Sequence, residues 1–241
     1  MIDIIDLHKN FGKLEVLKGI SLSIEPGRTT AILGPNGSGK TTLIKCILGL
    51  VRPTSGDIRY CNVSVLDRWK YRREMGYLPQ IARFPENLTV TELIRFVEDL
   101  REQQGNYQPL VHEFELDKNL HKKLRFLSGG TRQKVNLLLT FMFDSPVYIL
   151  DEPTSGLDPV ALLRFKELLA RKKNKSRTVI FTTHIMNLVE EISDDLVFLL
   201  EGTVYFQGTC RELMSSHQEI NLETAIARIL STNNYVENIK V

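Results

Sequence analysis

The stretch of sequence that decides the fold is Gly34-Pro35-Asn36-Gly37-Ser38-Gly39-Lys40-Thr41-Thr42. It fits the phosphate-loop pattern G-x-x-x-x-G-K-[ST] at every fixed position. Glycines let the backbone curl so that its N–H groups surround phosphate oxygens, and the N-terminus of a following helix adds partial positive charge. In such loops the lysine reaches the β- and γ-phosphates and the hydroxyl ligates Mg²⁺, which assigns these roles to Lys40 and Thr41.

The residues on either side of this loop supply the strand and the helix that it needs. A short β-branched and apolar run covers residues 29–33, and apolar residues recur at helical spacing from Ser38 until Gly49. A glycine-rich surface turn is the alternative interpretation, but it does not account for a strand and a helix in this order. The context therefore predicts a P-loop nucleotide-binding protein.

Strand and helix patterns alternate along the rest of the chain, which predicts a mostly parallel α/β sheet covered by helices on both faces. The predicted strands cover residues 2–7, 16–24, 29–33, 57–65 (one or two strands), 75–78, 147–150, 178–182, 196–200 and 203–206. The predicted helices cover residues 38–49, 91–103, 130–143, 158–173 and 185–192. We predict one domain over residues 1–214, with a small helical insertion at about residues 80–130, and a C-terminal helical tail over residues 215–241.

Composition indicates in which environment the protein works and which classes of partner it is expected to lack. Lys and Arg number 31 against 29 Asp and Glu, a formal net charge of +2 that gives no reason to expect a nucleic-acid partner. The three cysteines are widely separated, which argues against a disulfide framework or a zinc site and favours a reducing cytosol. The most apolar stretch, residues 135–143, is far shorter than the ~20 residues needed to span a bilayer. We expect a cytoplasmic protein without a signal peptide or a spanning segment.

A second motif places two adjacent carboxylates at the end of a strand. Val147-Tyr148-Ile149-Leu150-Asp151-Glu152 is a fully apolar run that delivers both acids where open α/β sheets place their ligands. Because side chains alternate along a strand, Asp151 and Glu152 have different roles. We assign Asp151 to Mg²⁺ and Glu152 to the attacking water as general base. An acidic strand end that merely caps the following turn is the alternative.

A third motif narrows the kind of P-loop protein. Leu127-Ser128-Gly129-Gly130, with a helix after it, resembles the signature sequence of the ABC (ATP-binding cassette) ATPase family. Physically it is a serine and two glycines at a helix N-terminus, which form a second anion-binding site. One nucleotide does not need two such sites in a monomer, whereas two copies arranged head to tail use both. The fifth signature position is commonly glutamine, and Thr131 stands there instead.

Four further matches fall in the order that the ABC family requires. Gln80 resembles the glutamine that senses Mg²⁺ and the γ-phosphate, and His184 resembles the switch histidine that contacts the γ-phosphate. The segment Ser155-Gly156-Leu157-Asp158-Pro159 resembles the loop that links two active sites, and this resemblance places Asp158 near the nucleotide. Phe11 matches the aromatic position that stacks on adenine, although a core or turn aromatic is the competing interpretation.

The resemblance implies the fold, the cofactors and the partners. It implies a P-loop NTPase of the ABC ATPase type, with a mixed or parallel β core, an N-terminal antiparallel β subdomain and a small helical subdomain. It implies binding of ATP and Mg²⁺, catalysis by Lys40, Gln80, Glu152 and His184, and closure with a second ATPase subunit, expected to be an identical copy. It also implies a separate membrane permease, and therefore a place on the cytoplasmic face of the membrane.

The resemblance also suggests where a permease docks and which subfamily is nearest. We expect docking along residues 81–94, and we take Phe84, Leu88 and Val90 as the apolar residues to test, with helical-subdomain core as the alternative. Residues 80–88 and 141–146 are similar to ATPases of copper-linked transporters that mature nitrous oxide reductase, although the chain itself has no metal-ligand cluster.

Two other functions fit parts of the pattern. One is an ABC ATPase that works without a permease, of which the assembly-scaffold type is compatible with this architecture. The other is a P-loop kinase that phosphorylates a small molecule. A kinase accounts for Lys40 and Asp151, but not for Ser128-Gly129-Gly130 or for the ordered Gln80 and His184.

Overall fold

The computed structural model describes the backbone of residues 1–237 and the side chains of residues 1–231. The strands are β1 (Ile2–Phe11), β2 (Leu14–Ile24), β3 (Thr29–Leu33), β4 (Ser55–Tyr60), β5 (Val63–Ser64), β6 (Met75–Leu78), β7 (Val147–Asp151), β8 (Thr178–Thr182), β9 (Asp195–Leu200) and β10 (Thr203–Gly208). The helices are α1 (Lys40–Ile47), α2 (Val90–Arg101), α3 (Gln108–Glu113), α4 (Gly129–Phe141), α5 (Pro159–Asn174), α6 (Met186–Ile192), α7 (Cys210–Ser216) and α8 (Leu222–Glu237).

The first part of the chain forms an antiparallel sheet with the strand order β2-β1-β4-β5. β1 and β2 form a hairpin whose pairing continues to Phe11 opposite Leu14, so β1 runs four residues beyond its predicted end. Hydrogen bonding to β2 extends the strand past its alternating pattern, which breaks where polar residues face solvent on both sides. The predicted N-terminal antiparallel subdomain is confirmed.

The second sheet carries the functional residues and has the strand order β10-β9-β3-β8-β7-β6. Strands β9, β3, β8, β7 and β6 are parallel, and β10 pairs antiparallel with β9 at one edge. The parallel strands are buried on both faces, as their uninterrupted apolar sequences predict. A mixed sheet of this kind confirms the predicted fold class.

Each face of this sheet has its own hydrophobic core. In β3, Ile32 packs with α1 and the antiparallel sheet, whereas Ala31 and Leu33 face α2 to α6 on the other side. The alternation follows from the period-two geometry of a strand. Cys46 in α1 is buried in the first of these cores, which confirms its interpretation as a small hydrophobic residue. The two cores pack against opposite faces of the sheet and so fix the positions of the carboxyl ends of its strands.

The segment between β6 and β7 is helical, with α2, α3 and α4 and short 3₁₀ turns between them. Helix α2 begins after Thr89, whose hydroxyl accepts from the N–H of Glu92 while the Glu92 carboxylate accepts from the N–H of Thr89. This capping box fixes the start of α2, one residue before its predicted first residue. The start of the first helix of the insertion is therefore determined by residues that are close together in the sequence.

The start of α1, most other helix ends and the C-terminal part differ from the prediction. Helix α1 begins at Lys40 instead of Ser38, because Gly39 has a left-handed φ of 100° and ends the loop. Helix α7 crosses the predicted boundary between residues 214 and 215, and α8 packs its Leu222, Ile226 and Ile229 into the larger core. Residues 238–241 of the predicted tail lie outside the described residues. Across the described part of the chain, no helix combines the length and apolar character required to cross a bilayer.

Candidate functional site

A cleft of about 280 Å³ opens at the carboxyl ends of β3, β7 and β8, where open α/β sheets bind ligands. Its lining brings together residues that lie far apart in the sequence: Asn36, Gly37, Gly39, Lys40, Thr41, Thr42, Gln80, Asp151, Glu152 and His184. All of them belong to the predicted set of site residues. The cleft also includes Leu14 and Val16 of β2, which sequence reasoning missed because they look like ordinary strand residues.

The phosphate loop packs tightly against the neighbouring strand β9. Gly34 has a φ of 150°, and a Cβ atom built there would lie 2.2 Å from the carbonyl oxygen of Leu199. No larger residue fits, because that oxygen belongs to the backbone of the central sheet. The loop leads into α1, whose N-cap Gly39 provides no side-chain acceptor, so the first N–H groups of the helix have no capping partner. The glycine allows the loop to curve, and the uncapped N–H groups at the start of α1 are available as donors. Together they form a concave surface suited to binding phosphate.

The Lys40 ammonium spans the concave side of this loop. Its Nζ donates to the carbonyl oxygens of Gly34 at 2.7 Å and Pro35 at 3.0 Å. Burial lowers the pKa of Lys40, and the nearby Glu152 and Asp151 carboxylates oppose that effect. The hydroxyl of Ser38 is buried in the same loop without a hydrogen-bond partner. A buried cation and an unpartnered hydroxyl are groups that phosphate oxygens would satisfy.

Three side chains link the loop to strands β7 and β8. The Thr41 hydroxyl donates to Oδ2 of Asp151 at 3.2 Å, and the Thr182 hydroxyl donates to Oδ1 at 2.7 Å. Thr182 is fully buried at the end of β8, and its oxygen also accepts from the N–H of Glu152 at 3.0 Å. Thr182 thus orients Asp151 and fixes the backbone of Glu152. Sequence reasoning used Thr182 only as a strand end, because nothing in one sequence shows that β8 lies beside β7.

Thr41, Asp151 and Gln80 present oxygen atoms to the same cleft, which suits a hard cation such as Mg²⁺. Mg²⁺ is usually bound by one or two carboxylates together with substrate phosphates rather than by a protein cage. In the described part of the chain, no group of three or more His, Cys, Asp or Glu residues could hold a metal alone. A single buried carboxylate beside a hydroxyl and a phosphate loop fits that mode of binding.

Glu152 has an unusual backbone and an unusual environment. Its φ is 51°, a left-handed conformation that is uncommon outside glycine and is often found at functional sites. Its carboxylate is largely buried, and Nε2 of His184 lies 3.0 Å from its Oε1. Burial raises the pKa of Glu152, the charge of His184 opposes the rise, and Asp151 adds to it. A carboxylate with a raised pKa beside a phosphate loop has the properties of a general base.

The signature segment lies outside this cleft in its own chain. Ser128 caps α4, and its Oγ lies 2.8 Å from Oγ1 of Thr131 and accepts from the Thr131 N–H at 3.2 Å. The side chain that replaces the usual glutamine therefore contacts the signature serine directly. The structure brings Ser128, Gly129 and Gly130 together at a helix N-terminus, but not next to Lys40 of the same chain.

The segment after Glu152 is tied to the signature helix. Asp158 caps α5 by accepting from the N–H of Ala161 at 2.8 Å, and it pairs with Lys134 of α4 at 2.7 Å. The hydrogen bond from Lys134 lowers the pKa of Asp158. A Cβ atom built on Gly130 would lie 2.7 Å from the carbonyl oxygen of Gly156. Asp158 thus has a structural role within the chain, and it does not line the cleft.

The structure shows Phe11 as half-exposed, one predicted docking residue as buried and the other two as partly buried. Phe11 is 50% exposed beyond the cleft lining, and Lys9 Nζ lies 4.8 Å from its ring centroid. Val90 is fully buried in the core beneath α2, so its prediction as an exposed docking residue was wrong. As the first residue of α2 it belongs to the core of the helical segment, as the alternative interpretation held. Phe84 and Leu88 are partly buried against the same core.

The part of the sequence that matches a known protein family includes most of the residues that line the cleft. The family described as ABC transporter matches residues 17–155. The chain is 33% identical over 224 residues to the uncharacterized ABC transporter ATP-binding protein YxlF of Bacillus subtilis (strain 168), covering 90% of this chain and 74% of that protein. It is also 33% identical over 221 residues to the Nod factor export ATP-binding protein I of Burkholderia lata, covering 89% of this chain and 73% of the relative.

Solved structures show the same fold. The structure of an ATP-binding subunit of an ABC transporter superposes with a TM-score of 0.88 at 29% identity, covering 95% of this chain and 99% of the other. The dimeric ATP-binding cassette MJ0796, in a post-hydrolysis state with ADP and Pi, superposes with a TM-score of 0.77 at 24% identity, covering 87% of this chain and 98% of the other. The second similarity concerns the fold alone.

Proposed function

Since the chain belongs to the ABC transporter ATP-binding family and is an ATPase, we propose that it powers a separate membrane permease by closing as a dimer around ATP. The single observation that supports this proposal is that one segment, residues 79–84, contributes residues to both the nucleotide cleft and an outer groove. Gln80 lines the nucleotide cleft, while Pro79, Ala82 and Phe84 line a groove on the outer side of the protein. A change at the nucleotide is therefore transmitted to a docking surface within a few residues.

Within the cleft, each residue has a separate role in ATP hydrolysis. The loop N–H groups and Lys40 hold the β- and γ-phosphates and neutralise their charge. Glu152 takes the proton of the attacking water, whose oxygen forms the new bond to the γ-phosphorus as the bond to the β-phosphate oxygen breaks. His184, within 3.0 Å of the Glu152 carboxylate, holds that carboxylate in position and contacts the γ-phosphate. Thr41, Asp151 and Gln80 would hold Mg²⁺, which would supply additional charge neutralisation.

The second anion site accounts for dimerisation. Ser128, Gly129 and Gly130 form a helix N-terminus that does not line the cleft of their own chain, so each signature segment binds the nucleotide of a second copy. Asp158, tied to α4 through Lys134, carries the link between the two sites. Phe11, at the end of β1, stacks on adenine beside Leu14 and Val16 of the cleft. An identical copy satisfies this arrangement.

A permease partner places the protein on the cytoplasmic face of the membrane. The similarity of residues 80–88 and 141–146 to copper-linked ATPases stays a prediction, because substrate contacts would lie in the permease. A permease-free ABC ATPase would share the cleft but would not need a groove that contacts the Gln80 segment. A P-loop kinase would leave the capped signature segment without a role.

The first test is ATP-dependent dimerisation of Glu152→Gln, followed by light scattering with Mg-ATP and with Mg-ADP. Loss of the general base stops hydrolysis while phosphate binding is retained, so we expect a dimer with ATP only and a loss of turnover of at least ~100-fold. Glu201→Gln is the matched control, because Glu201 has a similar φ of 49° but lies exposed in the β9–β10 turn and does not line the cleft. A Glu152→Gln protein that hydrolyses ATP normally and stays monomeric would contradict the proposal and favour the kinase.

A further inference from the structure

The hydroxyl of Thr131 contacts the signature serine instead of the helix backbone. Thr131 is the third residue of α4, and its Oγ1 lies 2.8 Å from Oγ of Ser128, the residue that caps the helix. A threonine inside a helix commonly donates to a backbone carbonyl of the preceding turn, as Thr140 of α4 does to Asn136 at 2.8 Å. Within the described part of the chain, the Thr131 hydroxyl forms no such bond and has Ser128 as its one partner.

Two other helix starts in this chain show what a carboxylate does at the same position. In α2 the carboxylate of Glu92, the third helical residue, accepts from the hydroxyl of the cap residue Thr89 at 2.8 Å. In α7 the carboxylate of Glu212 accepts from the hydroxyl of Thr209 at 2.9 Å. An ionised carboxylate only accepts hydrogen bonds, so the proton of each cap hydroxyl is held inside the helix terminus. A hydroxyl such as that of Thr131 can also donate, which changes what the cap residue has left to offer.

The hydrogen bonds at Ser128 decide whether its proton is available to an outside acceptor. Ser128 Oγ accepts from the N–H of Thr131 at 3.2 Å, which leaves that oxygen one further lone pair and one proton. Phosphate oxygens are strong acceptors, so Ser128 must donate its proton to bind them. If the 2.8 Å contact with Thr131 is kept, the Thr131 hydroxyl must then be the donor in it. Both lone pairs of the exposed Ser128 are filled in this arrangement, and its proton is free for a phosphate.

We propose that Thr131 is a positioning residue for Ser128: its O–H donates to Ser128 Oγ and so leaves the serine proton for the γ-phosphate of the ATP bound by a second copy. This role rests on the proposed function, which places Ser128 at the nucleotide of the other copy. It adds how the residue at the fifth signature position supports that contact. A hydroxyl that accepts a hydrogen bond becomes a better donor, so Thr131 also strengthens the bond from Ser128 to phosphate.

Thr131→Val in the Glu152→Gln chain tests this role, with the ATP concentration for half-maximal dimerisation measured by light scattering. Valine keeps the shape of the side chain and the backbone N–H that Ser128 accepts from, and it removes only the hydroxyl. Since the loss occurs at both nucleotides of the dimer, we expect the ATP requirement to rise at least ~5-fold. Thr131→Ser keeps the hydroxyl and should bring the requirement back to within ~2-fold of the Glu152→Gln chain.

Thr224 provides a matched control in α8. It is likewise the third residue of its helix, its N–H donates to the Asn221 side chain at 2.9 Å, and its exposed hydroxyl donates to the Asn221 carbonyl oxygen at 3.1 Å. Thr224→Val should therefore leave the ATP requirement unchanged. Affinity for a fluorescent ADP analogue is measured on every variant. It should not change, because Thr131 does not line the cleft of its own chain.

Ser128→Ala shows whether the effect of Thr131 passes through the serine. In a chain that already carries Ser128→Ala, we expect Thr131→Val to add less than ~2-fold to the ATP requirement, because the group that Thr131 positions is gone. An unchanged ATP requirement for Thr131→Val, or an equal further rise in the Ser128→Ala chain, would overturn the positioning role and leave the proposed function standing. A Glu152→Gln chain that does not dimerise with ATP would overturn both.

Discussion

At the scale of single residues, the site depends on a threonine that has no catalytic chemistry of its own. Thr182 donates to Asp151 and accepts from the N–H of Glu152, so one hydroxyl fixes the side chain of the first acid and the backbone of the second. Glu152 needs that support, because its left-handed φ of 51° is unfavourable for a residue with a Cβ. Two acids that differ by one position thereby keep separate directions and separate roles.

Replacing Thr182 by valine tests this positioning role. Valine has a similar shape but removes both hydrogen bonds, so we expect kcat for ATP hydrolysis to fall ~10- to 100-fold with a smaller change in KM. Thr182→Ser keeps the hydroxyl and should restore most of the rate. Thr178→Val is the matched control at the other end of β8, where the hydroxyl accepts from the N–H of Gly27, away from the cleft. A Thr182→Val protein with normal kcat would show that Asp151 and Glu152 need no support from β8.

At the scale of elements, the signature helix α4 and the loop before α5 behave as one unit. Lys134 pairs with Asp158 at 2.7 Å, and the Gln133 side chain donates to the carbonyl oxygen of Pro153 at 2.8 Å. Gly130 approaches the carbonyl oxygen of Gly156 so closely that a side chain would collide with it. These contacts therefore hold the start of α4 and the segment that follows Glu152 together.

Two neighbouring glycines of α4 provide a matched test of this contact. A Cβ atom at Gly130 would lie 2.7 Å from backbone, whereas one at Gly129 would meet nothing within 4 Å. We expect Gly130→Ala to lower Tm by ~4 °C or more, and Gly129→Ala to leave Tm unchanged or slightly raised, because alanine favours a helix. Differential scanning calorimetry measures both. Equal Tm values for the two variants would mean that α4 and the loop before α5 can separate without loss of stability.

At the scale of the whole molecule, the central sheet has two covered faces and carries the cleft at the carboxyl ends of its strands. One face is covered by α1 and the antiparallel sheet, the other by α2 to α6, and the nucleotide cleft opens at the carboxyl ends of the strands between them. A groove lies at the helical side, lined by Pro79, Ala82 and Phe84, and Gln80 of the same segment lines the cleft. This one segment therefore connects the cleft with the groove.

The buried Glu152 carboxylate also affects the stability of the whole fold. Burial raises its pKa above the ordinary value of 4.5, so the folded state binds a proton more tightly than the unfolded state does. Stability is then unaffected by this group well below pH 4.5 and decreases as pH rises above it, because the ionised form is less favourable in the folded protein. We expect Glu152→Gln to raise Tm by ~2 °C at pH 7.5 and not at pH 4.

Thermal unfolding of both proteins at a series of pH values checks this expectation. Glu201→Gln is again the control, since Glu201 is exposed and its replacement should leave the Tm difference independent of pH. A Glu152→Gln protein that is less stable than the unmodified chain at pH 7.5 would show that the contact with His184 outweighs the cost of burial.

The sequence by itself determined the fold class, the positions of most strands and helices, and most of the residues that line the nucleotide cleft. Phosphate loops, apolar strands and helix caps are local patterns, so their physical causes lie within a few residues of one another. The tertiary structure alone decided the contacts between distant segments, which include Thr182 beside Asp151 and Gly130 against Gly156. It also decided that Val90 is buried, because the face that α2 buries is set by its packing against α4 and not by its own sequence alone.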